Sequence, residues 1–252
     1  MPRWSQIIAV KFCLAILIGF LSAVVASAND GETNQPSAEI STQLVTLSLK
    51  LPAPALVESV MCQRKYPSGP DIEPVLDWQK PNFHGPRPSF LVPMGVTNVA
   101  LFKKAAASVK PFEGTLPLVT DADKEAYDRC VTQFRAGVQW VQVDLGGDYD
   151  IYAIALWLDH RYVDTVFQGV VIALADDASF TNNVRVLFNN DRENNAGLGV
   201  GQDKRYYESH VGKLLDAKGV RARYVRVYSN GSNVSRLNCF TEVEVWALPA
   251  KP

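Results

Sequence analysis

Histidine and cysteine are scarce in this chain, with three and four residues among 252. His84, His160 and His210 stand in unrelated contexts. Neither a Gly-x-Ser-x-Gly elbow nor a His-Glu-x-x-His helix is present, which excludes the commonest nucleophile–base and zinc-hydrolase constellations. The spacing of Cys13, Cys62, Cys130 and Cys239 matches no zinc-ligand pattern. Long basic blocks are also missing. The 25 Lys and Arg are balanced by 26 Asp and Glu, so the chain lacks the electrostatic footprint of a nucleic-acid binder. Internal repeats and helix-length apolar periods are not evident. The Gly197-x-Gly199-x-Gly201 spacing lacks the strand-then-helix context of a dinucleotide loop. Asp176-Asp177 lies at a turn, whereas a glycosidase needs two acids held roughly 5–10 Å apart across a cleft. A non-catalytic protein is the reading that remains.

The first residues have the layout of a secretory leader. Arg3 and Lys11 precede an apolar run, Phe12 to Val25, which Ala26-Ser27-Ala28 follows. Residues 1–28 are read as a cleavable signal peptide, so the mature chain is expected to be secreted or periplasmic. The apolar run is shorter than the roughly 20 residues that span a bilayer, and no transmembrane segment is expected in the mature chain. Cys62, Cys130 and Cys239 remain after cleavage. In an oxidising compartment two of them can pair, with Cys130–Cys239 preferred over three separate thiols.

Residues 29–93 read as an extension. Its start is polar and without apolar period. Val45, Leu47, Leu49 and Leu51 then alternate with polar residues, as in a strand. Nine prolines between Pro52 and Pro93 forbid long helices and limit sheet pairing. An extended segment held on the main domain by Trp78, Phe83 and Phe90 is expected.

The main domain is placed at residues 94–250, where short strands alternate with turns. Val141, Val143 and Leu145 share one face, opposite Trp140, Gln142 and Asp144. Gly146-Gly147 then allows a reversal, so the run Ile151 to Leu158 reads as the partner strand of a hairpin-like unit. Further strands are expected at Val170–Ala175, Val184–Phe188, Tyr224–Tyr228 and Glu242–Trp246. This pattern points to an all-β sandwich or jelly roll.

Several segments, in order, resemble the discoidin (coagulation-factor type C) family of galactose-binding-like jelly rolls, which is similar to family 32 carbohydrate-binding modules. They are Asn98-Val99-Ala100-Leu101, Leu118 to Asp123, Trp140 to Gly146, Tyr224-Val225-Arg226-Val227 and Thr241 to Val245. Ala122 stands where the family usually has glycine. The resemblance implies an exported, non-enzymatic β-sandwich that binds carbohydrate on a cell surface or extracellular polymer through loops at one end. The alternative is a protein–protein adhesion or assembly module.

The resemblance also implies a structural Ca2+ held by Asp121, Asp123 and Glu242, although Ala126 replaces a hydroxyl residue often found nearby. The competing reading is that the two aspartates simply cap a turn. The ligand loop is expected at Asp159, His160, Arg161 and Tyr162, which combine planar donors and acceptors with an aromatic face.

Overall fold

The computed structural model describes residues 43–54 and 65–251. The leader and Cys62 lie outside the described residues. Among the described residues, no helix is long and apolar enough to cross a membrane.

Among the described residues ten strands form in chain order. β1 (Leu44–Thr46) and β2 (Leu91–Pro93) make a small antiparallel pair. β3 (Thr97–Asn98), β4 (Ala105–Ala107), β5 (Thr132–Phe134), β6 (Gln139–Leu158), β7 (Val171–Ala175), β8 (Arg185–Asn189), β9 (Lys213–Ser229) and β10 (Asn238–Pro249) build the main sheet system, which is antiparallel throughout.

Two of these strands are far longer than the rest, and each serves both layers of a sandwich. The first half of β6 pairs with β4 and with the second half of β9, which continues to β7 and β8. The second half of β6 pairs with β10 and with the first half of β9, and β10 carries β3 and β5 on its other side. The hydrophobic core lies between the layers. Val141, Val143 and Leu145 contribute to it from one half of β6, and Ile154, Leu156 and Leu158 from the other.

The expected reversal at Gly146-Gly147 is therefore corrected: residues 139–158 are one bent strand rather than a hairpin. Both halves keep β9 as partner, with the register shifting between Asp144 and Tyr149. Gly146, at φ +83°, carries the bend, and Asp144 Oδ1 accepts its N–H at 2.9 Å.

The polar face of this strand is not a solvated face. Trp140 stacks on the Arg226 guanidinium at 4.2 Å, with Phe180 also within 3.9 Å of it. Gln142 Oε1 accepts two guanidinium N–H groups of Arg226, at 2.8 and 2.6 Å, and Asp144 receives a fork from Arg223. The Trp-x-Gln-x-Asp and Tyr-x-Arg segments thus match one another across β6 and β9.

Two local features depart from simple alternation and from the expected anchoring of the extension. In β8 Val186 is exposed while Leu187 packs on the core, because a register shift lies between Ile172 and Ala173 on β7. The proline-rich segment lies along the domain, where Trp78 and Phe90 line a cleft with Tyr206, Lys213 and Leu214, but Phe83 is exposed. Trp78 also stacks on Arg87 within the same segment. Polar contacts hold the segment too: Glu73 pairs with Lys213 at 2.6 Å and Arg87 donates to the Val211 carbonyl at 2.9 Å. Ile72 bridges to Arg205, and Tyr66 meets Tyr207 edge-on at 5.5 Å.

The cost of disturbing the bend should separate packing from backbone. Leu145→Ala, which empties a fully buried position, should lower unfolding free energy by roughly 2–5 kcal/mol. Gly146→Ala should cost about 1 kcal/mol, because its Cβ would meet only the flexible end of Lys103 and the penalty is the left-handed φ. Urea denaturation of both variants measures the difference.

Candidate functional site

The loops 159–170, 190–212 and 230–237 gather at one end of the sandwich, because β6, β8 and β9 end there and β7 and β10 begin there. A rail of backbone contacts crosses this end. Phe167 bridges to Ser232, and Gln168 and Asn230 exchange bonds with Gly231 and Gln168 at 2.8 and 2.7 Å.

On one side of the rail is a cleft of about 290 Å³. Arg161, Tyr162, Gln133 and Thr165 line it, together with Ser235 and Leu237 from the facing loop. Arg161 curls back on Asp159. Its Nε donates to Oδ1 at 2.9 Å and its terminal nitrogen to Oδ2 at 2.6 Å. The guanidinium also lies 6.0 Å from the centre of the Tyr162 ring. The cleft is near the lower limit of small-ligand pockets, and it mixes planar polar groups with aromatic and aliphatic surface.

Three of the four expected ligand residues, Asp159, Arg161 and Tyr162, line this cleft, and His160 does not. His160 is buried, and its Nε2–H donates to the Lys124 carbonyl at 2.9 Å. Burial lowers its pKa and keeps it neutral. It is a brace between two loops, since a residue flanked by two that face the cleft points the opposite way. Gln133 was not legible as a cleft residue, because the pairing of β5 with β10 alone brings it there.

Across the rail, Asp71, Asn190, Asp191 and Arg205 line a second polar cleft of about 250 Å³. The Asn190 side-chain nitrogen is buried there without a hydrogen-bond partner. The arrival of Asp71 from the proline-rich segment was not legible in the sequence.

The expected metal residues lie on facing elements, but among the described residues no three His, Cys, Asp or Glu side chains are grouped as a metal site. Glu242 lies on β10, on the face turned away from the core, opposite Trp157. The turn carrying Asp121 and Asp123 covers it. Glu242 Oε2 accepts the Ala122 N–H at 3.2 Å, and Ala122 adopts the left-handed φ +68°. Glu242 is fully buried and its carboxyl is pushed up to about 9, chiefly by burial and then by Glu244.

With the Lys124 ammonium in place these residues do not fit a calcium ion, which takes about six to eight oxygens. Asp121 Oδ1 accepts the Asp123 N–H and Asp123 Oδ1 the Glu125 N–H, at 2.9 and 3.0 Å. Asp123 Oδ2 accepts the Cys130 thiol at 3.3 Å. Moreover, Lys124 brings its own cation into the cluster, 2.6 Å from Glu244.

The preferred Cys130–Cys239 bridge is not formed. Cys239 lies opposite Gln133, three residues along from Cys130.

Glu208, beneath the cleft loops, is fully buried. Its Oε1 accepts the Leu158 N–H at 3.3 Å, and its carboxyl is pushed up to about 8, mainly by burial. The folded protein thus keeps a proton that the unfolded chain loses near pH 4.5, so this stabilisation is complete below that pH and lost as pH rises towards 8. Glu242 acts in the same sense up to about pH 9. His210, lowered to about 4 by burial, opposes them only below pH 6.5. The wild-type unfolding temperature should therefore fall between pH 6.5 and 8. Glu208→Gln should flatten that fall, as read by scanning calorimetry across this range.

No family model and no curated protein sequence matches the chain. Among solved structures, a fucose-binding module of Streptococcus pneumoniae is similar, at 18% identity and TM-score 0.45, over 62% of this chain and 99% of that one. A fucolectin from the serum of striped bass, Morone saxatilis, is 20% identical, with TM-score 0.43, over 62% of this chain and 50% of that one. A chitosan-binding module from a Paenibacillus chitosanase/glucanase is 18% identical, with TM-score 0.42, over 59% and 98%.

Proposed function

We propose that this chain is an exported, non-catalytic binding protein that recognises carbohydrate at the loop end of the sandwich. The observation that carries the reading is the cleft lined by Asp159, Arg161 and Tyr162. A saccharide presents adjacent hydroxyls, each able to donate and accept, and apolar C–H patches. The guanidinium supplies planar donors, Asp159 and Gln133 supply acceptors, and Tyr162 and Leu237 supply apolar surface. Arg161 is pre-set by its fork to Asp159, which reduces the ordering cost of binding. The ligand class is glycan on a cell surface or an extracellular polymer.

The purified chain applied to a glycan array should retain a restricted set of saccharides. Arg161→Ala and Tyr162→Ala should each weaken that binding by at least tenfold, about 1.4 kcal/mol, while leaving the unfolding temperature within a few degrees. His160→Ala should instead lower the unfolding temperature, because it removes a buried brace. An array on which no saccharide is retained would favour the assembly-module alternative.

A further inference from the structure

We propose that Lys124 takes the place of a bound divalent cation, so that the turn 120–126 is fastened to the closing strand by an ammonium built into the chain. The inference rests on where this one side chain ends. Lys124 stands in an acidic turn, between Asp123 and Glu125, where a solvated lysine would be ordinary. It is buried instead, with Lys124 and Glu244 side chains each 5% exposed and the Nζ 2.6 Å from Glu244 Oε1. The same Nζ donates to the Ala122 carbonyl at 3.4 Å and faces the Trp157 ring at 5.2 Å. The ammonium therefore touches a carboxylate of β10, a backbone oxygen of the turn and an aromatic face of β6.

The surroundings explain why a cation is needed there. Glu242 and Glu244 are separated by one residue on β10 and so project to the same face. Asp121 lies on the turn that covers them, and Glu242 is tied to that turn through the Ala122 N–H. Glu242 Oε1 has no hydrogen-bond partner and is buried. Two glutamates brought together out of water beneath the half-buried Asp121 would repel one another if both were charged, and would oppose closure of the turn. An ion supplied from solution would compensate them at a cost that depends on its concentration. An ammonium reaching in from the turn itself compensates them at any ionic composition. Glu244 Oε2 is in turn held by the Trp246 indole N–H at 3.1 Å, and the Lys124 carbonyl by His160. The lysine is therefore positioned from both ends.

The test compares unfolding temperature in 5 mM EDTA with that in 5 mM CaCl2, using the whole mature chain, together with calorimetric titration by CaCl2. Wild type should unfold at the same temperature in both solutions and give no binding heat. Lys124→Ala should unfold at least about 6 °C lower in EDTA, as expected when a buried pair loses one member, and should recover part of that loss in CaCl2. Lys124→Arg, which keeps the charge, should behave as wild type towards both solutions. A wild-type protein stabilised by calcium would overturn the proposal, and that measurement needs no variant to fold. A Lys124→Ala protein as stable as wild type would overturn it too. So would a destabilised one that calcium leaves unchanged, since no cation position would then exist to be filled.

Discussion

The antiparallel pairing of β6 with β9 is the constraint from which the rest of the molecule follows. Each strand is long enough to belong to both layers, so their pairing fixes the sandwich before any other strand is added. A bend in one must be matched by a bend in the other. Gly146 supplies the left-handed backbone in β6 at the register shift between Asp144 and Tyr149, and Gly219 supplies it in β9 at the next shift, opposite Ile151 and Ala153. Side chains keep the register. Gln142 faces Arg226, and a slip of one residue would turn the guanidinium into the core and the core valines outward.

With the layers fixed, the outer faces decide where charge can go. On the β4–β8 layer, Arg226 is sandwiched between two aromatic rings and still reaches Gln142 and the Ala178 carbonyl. On the other layer, the outer face of β10 carries two glutamates under a tight turn. The interior cannot leave those carboxyls charged and uncompensated. One is held protonated by burial and the other is neutralised by an ammonium. Buried polar groups therefore specify how the turn seats on the sheet.

The loop end inherits its geometry from the same strands. Leu158, Asn189 and Ser229 end their strands at one edge, and the connections that leave them are stitched by backbone bonds between 165–170 and 230–233. Two clefts remain on either side of that stitching, both mostly polar. The Asp159–Arg161 fork gives the first a fixed donor plane, and the proline-rich segment closes part of the second.

The meeting of Glu242 with the turn that carries Asp121 and Asp123 was implied by the family resemblance alone, whereas alternation and turn residues were sufficient to read the fold class and the core face of the first half of β6. These are properties of neighbours in sequence, and a period of two residues assigns faces without any knowledge of the partner strand. The same period misassigned the role of Gly146-Gly147, because a glycine pair permits both reversal and bend. Only the continued pairing with β9 selects the bend. It also left His160 among the ligand residues, since a loop has no period to show which side chain turns inward. Lys124 was unremarkable in the sequence for a related reason: its charge acquires meaning from Glu244, 120 residues away, and that distance closes only in the folded protein.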